Sequence, residues 1–239
     1  GQISRRPFPS GPGEKEVNDL AERIARVRGL ETHLRANIRG QDHVLPRIAA
    51  AFARGALGVS SPDQPRASFL FVGPTGTGKT ETFTCATDYV FGPGHLVSFD
   101  MSEYQEKQSI SRFIGTPDGK IPGSLTEAVS QNPYSLILLD EFEKAHPDIL
   151  NLFLQVFDEG RLTDNLGRLV DFQNTIIIAT SNAHSEFIKT EIEQGKVMES
   201  IAEELKKKLT DYFKPELINR FSAVIVFRSL NLEEIIAIA

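Results

Sequence analysis

Residues 73–80 most constrain what this chain can fold into, because they read Gly-Pro-Thr-Gly-Thr-Gly-Lys-Thr and directly follow an apolar run at 67–72. The run predicts a buried strand, and the residues after the glycines can form a helix as far as residue 91. Glycines let successive backbone N–H groups point inward, and the first turn of a helix adds a positive dipole. Strand, glycine-rich turn and helix in that order predict a phosphate-binding loop.

Two side chains of this loop suit a nucleoside triphosphate and its metal ion. Lys79 can reach the β- and γ-phosphates, and the hydroxyl of Thr80 can bind Mg²⁺. We therefore predict ATP or ADP together with Mg²⁺ as ligands. The alternative is a glycine-rich turn that binds nothing. The other predicted nucleotide-binding residues of the loop are Pro74, Thr75, Gly76, Thr77 and Gly78.

A second motif is the largely apolar run at 134–139, which ends in Asp140 and Glu141. Such an uninterrupted run is typical of a strand buried on both faces of a parallel sheet. Asp140 is predicted to hold Mg²⁺ through water, and Glu141 to orient or deprotonate the attacking water. Behind a phosphate-binding loop, the two carboxylates indicate ATP hydrolysis. The alternative is that they only cap the following helix.

The remaining pattern predicts an α/β fold. Helical periodicity covers 14–38, with a break near Gly29, and a second helix is predicted from 42 to about 57. Helical patterns separate most of the strand candidates, so we predict a three-layer fold with a five-stranded, mostly parallel sheet and the nucleotide at the carboxyl ends of its strands. The strand candidates are 67–72, 96–100, 135–140, 175–180 and 223–227.

Composition limits the classes of function. A chain of 239 residues that is 40% hydrophobic can bury a full core, and no apolar run approaches the roughly 18 residues of a membrane span. The single cysteine, Cys85, fits a reducing compartment, so we predict a cytoplasmic protein and a buried thiol. The net charge of −6 argues against nucleic acid as a partner, and the five histidines lack metal-ligand spacing. We predict no membrane partner.

Seven segments, in this order, resemble the second ATPase domain of the Clp family of AAA+ unfoldases, the ClpA, ClpB and ClpC group. The resemblance implies an AAA+ fold, ATPase activity, assembly into a hexameric ring and a polypeptide substrate. The segments are 38–42, 73–80, 100–104, 134–148, 160–164, 180–182 and 213–220.

The resemblance also implies roles for single residues. Ile38 and Gly40 stand where the family contacts adenine. Asn182 matches the polar residue that senses the γ-phosphate, although Ser-Asn after a strand is also ordinary turn chemistry. Arg220 matches the arginine finger that reaches the neighbouring subunit's nucleotide. The alternative for Arg220 is a surface arginine near a helix end.

The chain departs from the family at residues 115–125. The family carries an aromatic residue there that grips polypeptide in the central pore, whereas here the loop is shorter and Lys120 stands in that place. Pro122 also stiffens the end of this loop. The departure invites an alternative function, an ATP-switched assembly or regulatory domain that threads little substrate. A nucleic-acid motor is the third hypothesis, which the acidic balance disfavours.

The domain organisation is predicted from composition and resemblance. Residues 1–13 have linker composition, 14–230 form the large α/β subdomain, and 231–239 begin a helical lid whose remainder is absent. Because the lid forms one wall of the family's nucleotide pocket, hydrolysis by this chain alone is expected to be slow. The stretch between 182 and 214 lacks the tripeptide with which the family docks on a protease ring, so a protease partner is not expected.

Overall fold

The computed structural model of this chain describes residues 20–56 and 63–229. The predicted linker at 1–13, the helical positions before residue 20 and the predicted lid start at 231–239 lie outside the described residues. Five strands form one parallel sheet in the order β2-β3-β6-β1-β7. Strands β4 and β5 form a separate, two-stranded antiparallel sheet. The strands are β1 Ala67–Val72, β2 Leu96–Asp100, β3 Leu136–Asp140, β4 Arg161–Thr163, β5 Leu169–Asp171, β6 Ile176–Ser181 and β7 Ala223–Val226.

Helices cover both faces of the sheet. Within the described residues, three short 3₁₀ turns lie at Met101–Tyr104, Phe142–Lys144 and Leu209–Asp211. None of the described helices is both long and apolar enough to cross a membrane. The α-helices are α1 Leu20–Arg28, α2 Leu30–Asn37, α3 Leu45–Ala56, α4 Lys79–Phe91, α5 Ser109–Ile114, α6 Ser124–Gln131, α7 Pro147–Glu159, α8 Ser185–Glu193, α9 Met198–Lys208 and α10 Pro215–Arg220.

The core lies in two layers because the side chains of a strand alternate between the faces of the sheet. In β1, Leu70 and Val72 join the layer formed with α5, α6, α7, α9 and α10. Phe69 and Phe71 join the layer formed with α2, α3 and α4. Every residue of β1 and β6 is buried, as expected of central strands covered on both faces.

The prediction of a five-stranded, mostly parallel sheet is confirmed, and each of its strands lies within one residue of the predicted bounds. The break at Gly29 between the first two helices is also present. The helix predicted from 42 to about 57 is shorter, because residues 42–44 form a turn before α3. The β4–β5 hairpin was not predicted. The prediction of a buried Cys85 was too strong: it is half-buried against the α4 side of the core, where burial raises its thiol pKa.

The strand order decides which loops meet. Strand β6 lies between β3 and β1, so the carboxyl ends of these three strands are neighbours. The phosphate-binding loop follows β1, Glu141 follows β3 and Asn182 follows β6. The fold therefore brings the predicted loop, the two carboxylates and the polar sensor to one edge of the sheet.

Candidate active site

The loop after β1 has the backbone that a phosphate cradle requires. Gly76 and Gly78 have φ angles of 79° and 90°, a left-handed conformation in which residues with a Cβ are strained. The hydroxyl of Thr77 donates to the carbonyl of Pro74 at 2.8 Å and closes the turn. Helix α4 begins at Lys79, directly after Gly78, so its N-terminal dipole is directed at the cleft.

Lys79 is held at the carboxyl ends of two strands. Its Nζ donates to the carbonyl of Gly73 at 2.5 Å and to that of Ser181 at 3.2 Å. An ammonium has three donors, so one N–H remains for a phosphate oxygen. Burial lowers the pKa of Lys79, and the negative charges of Glu143 and Asp140 oppose this lowering.

The carboxylate of Asp140 is fixed by its neighbours. Its Oδ1 accepts a hydrogen bond from the hydroxyl of Thr180 and another, at 3.2 Å, from the backbone N–H of Glu141. Thr180 is buried on β6, the next strand, so this contact ties β3 to β6 at their carboxyl ends. One oxygen of the Asp140 carboxylate is therefore held by two hydrogen bonds from within the protein.

Glu141 adopts a backbone conformation that is rare for a residue with a side chain. Its φ is 54° and its ψ is 48°, in the left-handed region, which costs about 1–3 kcal/mol and is common at functional sites. Its Oε2 lies 3.1 Å from Nζ of Lys144. The following helix, α7, is capped instead by His146, whose Nδ1 accepts from the backbone N–H of Asp148 at 3.1 Å. The two carboxylates are thus not the cap of that helix.

Asn182 lies directly after β6 and faces the loop. Its Nδ2 is 3.5 Å from the hydroxyl oxygen of Thr75. An open cleft of about 340 Å³ lies between these elements. The residues that line it are Thr75, Gly76, Gly78, Lys79, Thr80, Glu81, Asp140, Glu141, Thr180, Ser181 and Asn182.

Five predicted site residues are not among those that line the cleft: Ile38, Gly40, Pro74, Thr77 and Arg220. Pro74 and Thr77 belong to the phosphate-binding loop, where Thr77 is buried and its hydroxyl donates to the carbonyl of Pro74. Ile38 is buried in the core layer formed with α2, α3 and α4, and Gly40 lies in the turn after α2 with a φ of 75°. Arg220 is the last residue of α10, and its Nε donates to Oδ1 of Asp158 on α7. Its side chain is 42% exposed, so the guanidinium is accessible.

One residue with a structural role in this site was missed. Gln41 is fully buried, and its Nε2 donates to the carbonyl of Thr77 at 2.9 Å and to that of Arg228 at 2.8 Å. Its Oε1 accepts from the backbone N–H of Arg228 at 3.2 Å. One side chain therefore links the phosphate-binding loop to the segment that follows β7. In the sequence, Gln41 is a polar residue between Gly40 and Asp42, and no local pattern there indicates that its side chain bonds two distant backbone segments.

Replacing Gln41 by alanine should lower the free energy of unfolding by about 2–4 kcal/mol, because the backbone groups of Thr77 and Arg228 lose their hydrogen bonds with this buried side chain. Urea denaturation of the nucleotide-free chain measures the change. The matched control is Gln131→Ala at an exposed position of α6, where Nε2 donates to Oε1 of Glu127; its cost should stay below about 0.5 kcal/mol. Equal losses in the two variants would contradict the role given to Gln41.

The chain is similar to known proteins over most of its length. A family model described as AAA domain (Cdc48 subfamily) matches residues 64–224. The chain is 48% identical over 232 residues to Chaperone protein ClpB of Meiothermus ruber, a match that covers 95% of this chain and 27% of the relative. It is 46% identical over 215 residues to Heat shock protein 100 of Trypanosoma brucei brucei, covering 88% of this chain and 25% of the relative.

A third relative is named as a subunit of a protease and not as a chaperone. The chain is 43% identical over 228 residues to the ATP-dependent Clp protease ATP-binding subunit ClpE of Lactococcus lactis subsp. lactis (strain IL1403), covering 93% of this chain and 30% of the relative. The chain thus spans between a quarter and a third of the length of these relatives. The resemblance deduced from the seven segments is confirmed.

Proposed function

This chain belongs to the AAA domain family as a Clp-type AAA+ ATPase domain, and from that premise we propose that its cleft binds ATP with Mg²⁺ and hydrolyses it within a protein-remodelling machine. The observation that carries the proposal is the convergence of Lys79, Asp140, Glu141 and Asn182 on one cleft. Asp140 ends β3, Glu141 directly follows it, and Asn182 directly follows β6. Lys79 begins α4, the helix after the phosphate-binding loop of β1, and these three strands are neighbours in the sheet.

The chemistry follows from the side chains. Hydrolysis of the γ-phosphate needs little covalent help, so positioning and charge stabilisation supply most of the catalysis. The third N–H of Lys79 is available to the β- and γ-phosphates, and the loop N–H groups are suited to the remaining oxygens. Glu141 is our candidate to orient and deprotonate the attacking water, and Asn182 to hold that water or the γ-phosphate.

The residues at the cleft fit Mg²⁺. This ion prefers oxygen ligands and is usually held by one or two carboxylates, with water and phosphate oxygens completing its shell. The Thr80 hydroxyl and the Asp140 carboxylate both line the cleft. Among residues 20–56 and 63–229, no group of three or more acidic, histidine or cysteine side chains forms a closed metal cage. Mg²⁺ bound by Thr80 and Asp140 would offset phosphate charge in the transition state.

The adenine is proposed to lie beside residues 38–42. Gln41 bonds the carbonyl of Thr77, so this turn is attached to the phosphate-binding loop. Ile38 and Gly40 are the candidates for the contact. We propose that residues 14–230 form the large subdomain and that 231–239 begin a helical lid, which would cover the base from the other side.

In the whole protein we propose a ring, with six subunits by resemblance, in which Arg220 reaches the nucleotide of the neighbouring subunit. Two of the relatives described above are named as a chaperone or heat shock protein, which favours a disaggregase-like role on polypeptide substrates. Another relative is named as the ATP-binding subunit of a protease, so the names alone do not decide between the two kinds of machine. The missing docking tripeptide favours the machine without a protease ring. A cytoplasmic location is proposed from the single cysteine.

The alternative function, a regulatory switch that threads little substrate, was inferred from the missing aromatic residue in the loop at 115–122. The backbone N–H of Thr116 donates to the carbonyl of Ile121 at 3.0 Å, so the loop is closed on itself. Lys120 is 82% exposed, but Ile121 next to it is also exposed. Leu166 of the β4–β5 turn lies against Gly119 and is half exposed. These aliphatic side chains offer polypeptide an apolar surface without the aromatic residue, so the remodelling function remains our proposal.

Replacing Lys79 by alanine should weaken binding of Mg-ATP and Mg-ADP by at least about 100-fold, because a partly desolvated charge on the phosphates is lost. Isothermal titration of this chain with each nucleotide measures it. Lys189→Ala removes the same charge from the exposed face of α8 and serves as the control. A parent chain without nucleotide binding, or an unchanged dissociation constant for Lys79→Ala, would contradict the proposed function.

A further inference from the structure

His184 has an unusual backbone and lies beside the candidate active site. Among residues 20–56 and 63–229, Glu141 and His184 are the two non-glycine residues with a positive φ. The φ and ψ of His184 are 56° and 31°, a left-handed conformation that persists only where the surroundings enforce it. Glu141 directly follows β3, and His184 lies two residues after Asn182 in the turn after β6. The contacts of His184 should therefore bear on what this turn does.

The imidazole of His184 is bonded to the end of α9. Its Nε2 lies 2.9 Å from the carbonyl oxygen of Lys208, the last residue of α9, and 3.1 Å from Oδ2 of Asp211. A carbonyl and an ionised carboxylate only accept hydrogen bonds, so this nitrogen carries the hydrogen and donates to both. The ring also meets Tyr212 edge-on, with 5.7 Å between the ring centroids. The left-handed backbone is thus held by the side chain.

The segment that accepts these bonds is itself fixed. Leu209 and Phe213 lie on either side of the contact and are buried in the core. Phe213 also stacks on Phe142, the residue after Glu141, with ring centroids 5.4 Å apart. His184 therefore fastens the turn after β6 to a part of the core that also supports the turn after β3.

The turn after β6 passes this constraint to Asn182. The backbone N–H of Ala183 donates to Oγ of Ser181 at 3.1 Å, and the hydroxyl of Ser185 donates to the carbonyl of Asn182. The Asn182 side chain is exposed, and its amide reaches the phosphate-binding loop only at 3.5 Å, a long distance for a hydrogen bond. The direction of this amide therefore depends on the backbone of the turn, which His184 holds.

We propose that His184 is a positioning residue of the ATPase reaction: by anchoring the turn to the end of α9, it keeps the Asn182 amide directed at the γ-phosphate and the attacking water. The inference rests on the proposed function, in which Asn182 holds that water or the γ-phosphate. His184 is not among the residues that line the cleft, so it acts through Asn182 and not on the nucleotide itself. Because ADP has no γ-phosphate, its binding should not depend on His184.

The first test separates turnover from binding. His184→Ala should lower kcat for ATP hydrolysis by the assembled protein about 10- to 100-fold, the size expected when a group at the reacting centre is misplaced by about an ångström. The dissociation constant for Mg-ADP should stay within about 2-fold of the parent, because no interaction with ADP is removed. Isothermal titration measures the second quantity. A general loss of the fold would weaken both.

Three further variants serve as controls. His184→Gln keeps a donor near the position of Nε2 and should hydrolyse ATP within about 3-fold of the parent rate. His184→Gly suits the left-handed backbone but lacks the donor, so it should be as slow as His184→Ala. His33→Ala also removes a half-buried imidazole, one that stacks on Tyr89 in the other core layer, and should leave the rate unchanged.

A double-mutant cycle tests whether His184 acts through Asn182. In the Asn182→Ala background the amide that His184 directs is already gone, so His184→Ala should lower kcat by less than about 2-fold further. Urea midpoints of the same four proteins measure the structural part, which should be equal in the two backgrounds. Losses in kcat that multiply would overturn the proposal that His184 works through Asn182.

The possible failures are distinguishable. Hydrolysis by Asn182→Ala at the parent rate would contradict the proposed role of Asn182, and the inference would fall with it. A slow Asn182→Ala beside a His184→Ala at the parent rate would overturn the role of His184 alone. A His184→Gln as slow as His184→Ala would likewise overturn positioning by the Nε2 donor. If His184→Ala does not fold, His184→Gly takes its place in the comparison and in the cycle.

Discussion

Replacing Arg220 by alanine should lower the rate of ATP hydrolysis by the assembled protein roughly 10³- to 10⁵-fold, the range measured for arginine fingers. The reason is loss of a guanidinium that stabilises charge on the transferring phosphoryl group. Arg220 does not line the cleft of its own chain and is exposed at the end of α10. We therefore expect it to act on the nucleotide of a neighbouring subunit, with ATP binding itself little changed.

The structure supplies a matched control for this prediction. Arg220 is paired with Asp158 on α7, so a merely structural arginine would act through that pair. Asp158→Ala breaks the same pair but keeps the guanidinium, and because exposed ion pairs contribute little it should retain activity within a few-fold. A loss in Asp158→Ala as large as that in Arg220→Ala would show that the pair, not the finger, matters.

Mixing subunits tests whether Arg220 acts between chains. Subunits with Arg220→Ala bind ATP but offer no guanidinium, and subunits with Lys79→Ala offer the guanidinium but stay empty at ATP concentrations far below their raised dissociation constant. In mixed rings, intact sites form at some boundaries between the two kinds, so part of the activity should return. No recovery, with mixed rings shown to have formed, would place the role of Arg220 within its own subunit.

The main sheet was predictable because its central strands β1, β3 and β6 are buried on both faces and read as largely apolar runs. The neighbourhood of Lys79, Asp140 and Asn182 followed from parallel strands whose carboxyl ends meet. The β4–β5 hairpin was not predictable in the same way. Its strands have three residues each, and each buries only its central one, Leu162 or Val170. That pattern is too short to indicate a strand.

The finer parts of the site depend on contacts between distant residues. Gln41 bonds Thr77 and Arg228, which lie 36 and 187 positions away in the chain. The left-handed backbone of Glu141 likewise lies at the start of the 3₁₀ turn after β3. Local sequence carries no period or motif for such features, so only the folded chain reveals them.

Replacing Glu141 by glutamine should lower the rate of ATP hydrolysis by roughly 10²- to 10⁴-fold while ATP still binds, because only the base that activates water is lost. The side chain keeps its length and can still accept a hydrogen bond from Lys144, its partner in the parent. Glu81→Gln is the matched control: Glu81 also lines the cleft, so the variant loses the same charge there. Its hydrolysis rate should stay within a few-fold of the parent.

The nucleotide that remains bound after incubation with Mg-ATP tests the central claim most directly. The assembled parent protein and Glu141→Gln are incubated with Mg-ATP, separated from free nucleotide and denatured, and the released nucleotide is identified by chromatography. We expect ADP from the parent and ATP from Glu141→Gln. ADP from both at the same rate would contradict the role of Glu141, and no nucleotide from either would contradict an ATP-hydrolysing cleft.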